Sequence, residues 1–204
     1  MPDLIPILDS RPVTTVIGIL NFAVSIAGMR RRDLYHQWIL HPYGIRRRKE
    51  FWRLITSDFI HHDLVHLLIN SAMLFFICGE LEMFLSERYG SGSLIFLAIY
   101  LLSHLTGAMT VSWSNRNNFE YSSAGASGSI MGCMMSFMIL APHEVAFYLP
   151  LAGAVENEFA ALLVILGLMV YRWRSGNEML DNELHFFSAL GGIAATVICC
   201  GIIF

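Results

Sequence analysis

The chain of 204 residues has little charge: 14% of it is Asp, Glu, Lys or Arg, where a soluble domain carries about a quarter. With 55% hydrophobic residues and a mean hydropathy of +0.57, that deficit excludes an ordinary soluble fold. It points to an integral membrane protein. Basic residues are too few, at a net charge of −3, to form a stripe for nucleic acid. Cysteine is also scarce. Cys78, Cys133, Cys199 and Cys200 all sit in apolar runs without CxxC spacing, so they read as apolar filling rather than metal ligands or bridges. The zinc-hydrolase signature HExxH is missing, and so is the soluble hydrolase elbow GxSxG: position 129, two after Ser127, is serine. The opening "MPDLIPILDSRPVTT" lacks a basic n-region and a small-residue cleavage site. Its apolar run is therefore expected to stay in the mature protein.

What the sequence has instead is long apolar runs. Six of them cover about 12–29, 62–85, 91–112, 126–141, 154–171 and 183–204. Lipid admits only helices or closed barrels, and these runs are too long for barrel strands. The expectation is an all-α polytopic bundle of six transmembrane helices in one domain, 1–204, without internal repeats. A polar, aromatic loop of more than thirty residues separates the first two helices. "PHEVAFYLPLAG" joins the fourth to the fifth.

Charge is unevenly spread. Eight basic residues lie between Arg30 and Arg53, and Arg116, Arg172 and Arg174 follow in the third and fifth loops. Only Arg11 and Arg88 fall on the other side. By the positive-inside rule the odd-numbered loops face the cytoplasm.

Polar side chains inside membrane helices are functional candidates, because their burial is expensive. In "FIHHDLVHLLIN", His66 and Asn70 share one helix face with His62 at i, i+4, i+8, and His61 and Asp63 stand at its mouth. Two histidines at that spacing can chelate zinc, but no further ligand completes a set. Hydrogen-bonding glue between helices is the second bland reading. The sixth helix carries His185 above a small-residue stripe, Ser188 and Gly192. The fourth opens with Gly125-Ala126-Ser127-Gly128, above a stripe of Gly128 and Gly132. Serine caps helices well and glycine weakens their interiors. Two small-residue faces that meet would hold His185 beside Ser127. A serine hydroxyl becomes nucleophilic when a base within reach takes its proton, and a neutral His185 can play that part, later protonating the leaving amine. Backbone N–H groups at Ser127, together with His66 and Asn70, would face a developing oxyanion. No acid stands out as a third member, so a dyad is expected, with no cofactor and no metal.

These residues resemble the rhomboid intramembrane serine proteases. "WR" at Trp52-Arg53, "HHDLVHLLIN", "CGELE" ending at Glu82, "GASGSIMG" and a histidine above a small stripe occur in the family's order, from about Pro12 to Ile203. The resemblance implies a Ser127–His185 dyad with His66 and Asn70 at the oxyanion. It implies a rhomboid-like bundle whose long first loop is partly embedded in the membrane. It also implies that a substrate's transmembrane segment enters sideways, near the second and fifth helices. Glu82 would be a structural anchor, with Thr14 as partner. Two positions depart from the family: Ser188, where glycine is usual, implying slightly looser packing, and Met131, where many members place an aromatic against the catalytic histidine. A bacterial cytoplasmic membrane is the expected location. Many bacterial relatives turn the first loop away from the cytoplasm, against the basic count above, so the orientation stays open.

Two other classes compete with a protease. A catalytically inactive rhomboid-like protein that binds or escorts membrane helices commonly lacks the serine or the histidine, and this chain has both. A histidine-lined metal or proton transporter predicts that Ser127→Ala is harmless. The protease reading predicts that it is fatal to cleavage. The expected partners are a membrane-protein segment and the bilayer, with no nucleic acid.

Overall fold

The structure, a computed structural model, describes residues 10–150, 153–174 and 181–201. The first helix, α1 (Pro12–Arg30), opens with Pro12, whose missing N–H costs nothing at that position. The next two N–H groups, of Val13 and Thr14, donate to the two carboxylate oxygens of Glu82 at 3.0 and 2.8 Å. Glu82 thus meets Thr14 through the backbone N–H of that residue. An anion at a helix N-terminus satisfies orphan donors and the macrodipole together.

Three short helices follow: α2 (Arg32–Trp38), α3 (Pro42–Arg48) and α4 (Arg53–Thr56). They are organised around Arg53, which is buried. Its Nε donates to Glu50 at 2.7 Å, and one terminal nitrogen donates to the carbonyls of His36 and Ile39. Leu40 pairs with Ser123 through two backbone hydrogen bonds, of 2.8 and 3.1 Å. The segment between α1 and α5 is therefore joined to the stretch leading into Ser127.

The second long run is α5 (Leu64–Met73), a π turn (Leu74–Cys78) and α6 (Gly79–Arg88) in continuation. The helix widens where Arg11 presses on it. The Arg11 guanidinium donates to Phe75 O at 3.0 Å and stacks over the Phe75 ring. A side chain on Gly79 would strike that guanidinium. A π turn is the usual answer to a group inserted against the helical ladder.

The central element is α7 (Gly92–Ser114), which buries Phe96, Ile99, Tyr100, Ser103, Gly107 and Val111 on one face. Two more helices pack across it, α8 (Ser127–Leu140) and α10 (Asn182–Cys200). A core of Leu74, Leu81, Phe96, Tyr100, Ile130 and Cys133 fills the space among α5, α6, α7 and α8. Between α8 and α10 lie two antiparallel strands, β1 (Val145–Leu149) and β2 (Gly153–Glu156), and helix α9 (Asn157–Arg174).

Four helical runs are long and apolar enough to cross a membrane: Pro12–Arg30, Leu64–Arg88, Gly92–Ser114 and Asn182–Cys200. Ser127–Leu140 and Asn157–Val170 are apolar but shorter. The chain is an integral membrane protein of mostly helical build. The strands correct the all-α expectation: Val145 to Leu149 is a β-branched and aromatic run that suits pairing. They also move the start of the fifth helical run from 154 to Asn157. The end of the run expected over 183–204 lies partly outside the described residues.

Candidate active site

Ser127 owes its position to the residue two before it. Gly125 adopts φ +115°, a conformation that a side chain makes costly. A Cβ there would also lie 2.8 Å from Cε1 of His66. The turn leaves Ala126 as the cap and Ser127 as the first residue of α8. The N–H groups of a first helical turn have no helical partners. One just ahead of it, on Ala126, donates to Nε2 of His61 at 3.3 Å.

On the facing helix, Asp181 caps α10. Its Oδ1 accepts from Leu184 N at 3.1 Å and its backbone carbonyl accepts from His185 N at 3.0 Å. Tyr121, on the approach to Ser127, donates its hydroxyl hydrogen to the other oxygen of Asp181. Burial, with the nearby Asp181 charge, pushes the Tyr121 phenol well above its usual range, which keeps it a donor. His185 is thereby fixed in the first turn, and its Nε2 lies 2.8 Å from Ser127 Oγ. Both residues are half-buried among neighbours that are largely buried.

Close helix contact makes this approach possible. A Cβ on Gly192 would sit 2.6 Å from the carbonyl carbon of Gly132, and one on Gly132 would sit 2.8 Å from Ser188 O. On Gly128 it would meet Leu184 Cδ2 at 2.7 Å. Ser188 packs against α7 at Gly107, where a side chain would collide with the Ser188 hydroxyl. That hydroxyl is buried and has no hydrogen-bond partner among the described residues. Met131 is half-buried on α8, one turn below Ser127.

His66 and Asn70 lie one turn apart on α5. Asp63 caps that helix by accepting from His66 N at 2.8 Å. The His66 ring stands against Gly125 and makes an edge contact with His61. Asn70 is buried. Its amide nitrogen donates one hydrogen to His66 O at 3.0 Å, and its Oδ1 has no partner among the described residues.

His61 has a larger role than its place at the helix mouth suggested. Its Nε2 accepts from Ala126 N, so the ring proton belongs on Nδ1 and is donated to Ser25 Oγ at 2.9 Å. Ser25 also accepts from His61 N and donates to Phe59 O. Burial, helped by His66, pushes the His61 imidazole down to about 4, against an ordinary 6.5. It is a neutral strut.

A second buried group escaped the sequence reading: Ser57, Asp58, His104 and Ser129. His104 was legible in principle, as an ionisable residue in the middle of an apolar run. Asp58 sits in a polar stretch and gave no periodic signal. Among the described residues, only His143, Glu156 and Glu158 bring three potential metal-ligand atoms within 4.8 Å of one another. They lie beyond the far end of α8, a helix length from Ser127.

In chemical terms, a serine hydroxyl sits within hydrogen-bond reach of an imidazole, at a helix start with unclaimed donors. The profile of the Rhomboid domain matches residues 48–202. Rhomboid protease GluP of Bacillus subtilis is 31% identical over 146 residues, covering 72% of this chain and 25% of that protein. The putative rhomboid protease YdcA of the same organism is 27% identical over 152 residues, 74% of this chain and 68% of its own length. Rhomboid protease GlpG of Yersinia pestis is 22% identical over 189 residues, 82% of this chain and 64% of its own. The chain thus spans a quarter of GluP and about two thirds of the other two. On the extent of the domain match and the identity to GluP, the chain belongs to the rhomboid family.

Proposed function

We propose that the protein is an intramembrane serine endopeptidase that cleaves transmembrane segments of other membrane proteins. The observation that carries this reading is the 2.8 Å hydrogen bond between Ser127 Oγ and His185 Nε2. In the reaction, Ser127 Oγ attacks the scissile carbonyl carbon as His185 Nε2 takes its proton. The tetrahedral oxyanion is met by the Ser127 N–H, the His66 ring and the second amide hydrogen of Asn70. Each such donor contributes roughly 10²- to 10³-fold in rate. His185 returns the proton to the leaving amine, and water then releases the acyl group by the same route in reverse.

The membrane setting follows from element lengths. The six longer helical runs all traverse the bilayer in this reading, with the segment between α1 and α5 lying partly in its surface. The 14 residues of α8 rise only about 21 Å, against about 30 Å of hydrocarbon. Ser127 therefore starts below the surface, at a depth where a substrate helix runs. The substrate enters between α5 and α9. In support, α9 turns Phe159, Leu162, Leu163, Leu166 and Met169 outward and buries only Asn157 and Ala160 among its side chains described. The membrane in this reading is a bacterial cytoplasmic one, which the bacterial relatives support.

The test is fluorophosphonate labelling of purified wild type, Ser127→Ala and His185→Ala in detergent, with cleavage of a model transmembrane substrate alongside. Labelling and cleavage by wild type alone are expected. A folded Ser127→Ala variant that cut at the wild-type rate would sink the reading.

A further inference from the structure

Two adjacent residues bracket the nucleophile from below. The carbonyl of Ser57 accepts Gly125 N at 2.8 Å, two residues before Ser127. The carboxylate of Asp58 accepts the Ser129 hydroxyl at 2.9 Å, two residues after it. His104, from α7, reaches both: its Nδ1 lies 3.1 Å from the same Asp58 oxygen, and its Nε2 lies 3.3 Å from Ser57 Oγ. Ser57, Asp58, His104 and Ser129 are each at most 3% exposed.

No substrate can touch these groups, so they carry no bond-making step. Their burial still needs a reason. A carboxylate and an imidazole taken that deep lose their hydration, and apolar side chains of similar volume would hold helices together at least as well. What apolar filling cannot do is fix a direction. Here two hydrogen bonds grip the backbone turn and first helical turn that aim Ser127. The imidazole, hydrogen-bonded to Ser57 Oγ through Nε2 and packed against the Asp58 carboxylate with Nδ1, keeps the gripping dipeptide from rotating. His185 is set independently, through Asp181 and Tyr121. The distance between Ser127 and His185 thus depends on two separate mountings.

We propose that Ser57, Asp58 and His104 form a clamp that positions Ser127 for reaction, an inference that rests on Ser127 being the nucleophile. They are positioning residues, and their loss is expected to slow the chemistry rather than weaken substrate binding. A misplacement of about 1 Å costs up to roughly a hundredfold in rate.

The experiment measures the second-order rate of fluorophosphonate labelling, well below the melting temperature, for wild type and the variants Asp58→Ala, Asp58→Asn and Ser129→Ala. Glu82→Gln serves as a destabilised comparison remote from the site. Asp58→Ala is expected to label at least about tenfold more slowly and to lose kcat on a cleaved substrate with KM unchanged. Asp58→Asn, which keeps an acceptor for Ser129, is expected to recover most of the rate. Ser129→Ala, which deletes one hydrogen bond only, is expected to fall between them, and it decides the matter if Asp58→Ala does not fold. Wild-type labelling rates in folded Asp58→Ala or Ser129→Ala, or a slowing no greater than in Glu82→Gln at matched stability, overturn the clamp alone. A folded wild type that does not label overturns the nucleophile and the clamp with it.

Discussion

His61 Nε2 accepts the backbone N–H of Ala126 at 3.3 Å, one residue before Ser127. The bond exists only while that nitrogen keeps its lone pair, so protonating His61 removes the strut. The folded imidazole titrates near 4 and the unfolded one near 6.5. Between those values the unfolded chain binds a proton that the folded chain refuses. The contribution of His61 is therefore fully present above pH 6.5 and is lost as pH falls toward 4, by about 3 kcal/mol in total. Thermal unfolding in detergent across pH 4–7 is expected to show this slope, and a flatter one in His61→Asn.

The contact between Gly132 and Gly192 leaves no space for a methyl group. Gly192→Ala is expected to cost about 1–3 kcal/mol through overpacking. It also pushes α10 away from α8, so labelling of Ser127 falls further than stability does. Melting temperature and labelling rate measured on the same preparation separate the two effects.

Glu82 closes the N-terminus of α1 with a charged carboxylate. Glu82→Gln keeps an acceptor but loses the charge, and is expected to cost about 1–2 kcal/mol. The readout is a lower melting temperature with an unchanged labelling rate well below it.

The Ser188 hydroxyl is buried without a hydrogen-bond partner among the described residues. Ser188→Ala removes that polar atom at nearly constant volume. It is expected to raise stability by about 1 kcal/mol, seen as a higher melting temperature with labelling retained.

Much of this architecture is legible in the sequence because membrane helices announce themselves by composition. The long apolar runs give Pro12–Arg30 and Gly92–Ser114 to within two residues. The small-residue stripes tell which helix faces meet, and that pairing brings His185 to Ser127. Hydrophobicity is blind to contacts between irregular segments, and those hold the rest. Leu40 pairs with Ser123 across 82 intervening positions of no special composition. Ser57 and Asp58 lie in a polar stretch whose burial depends on how α4 packs against α7. Val145 to Leu149 forms a strand only because 153–156 lies beside it.

The family profile begins at residue 48, but the physical unit does not. Ser25 carries the hydrogen-bond load of His61, Leu40 is stitched to Ser123, and Val13 and Thr14 occupy Glu82. A fragment trimmed to the profile would leave His61 with an idle ring proton and Glu82 as a bare anion in the bilayer. The smallest self-contained piece of this chain therefore includes α1.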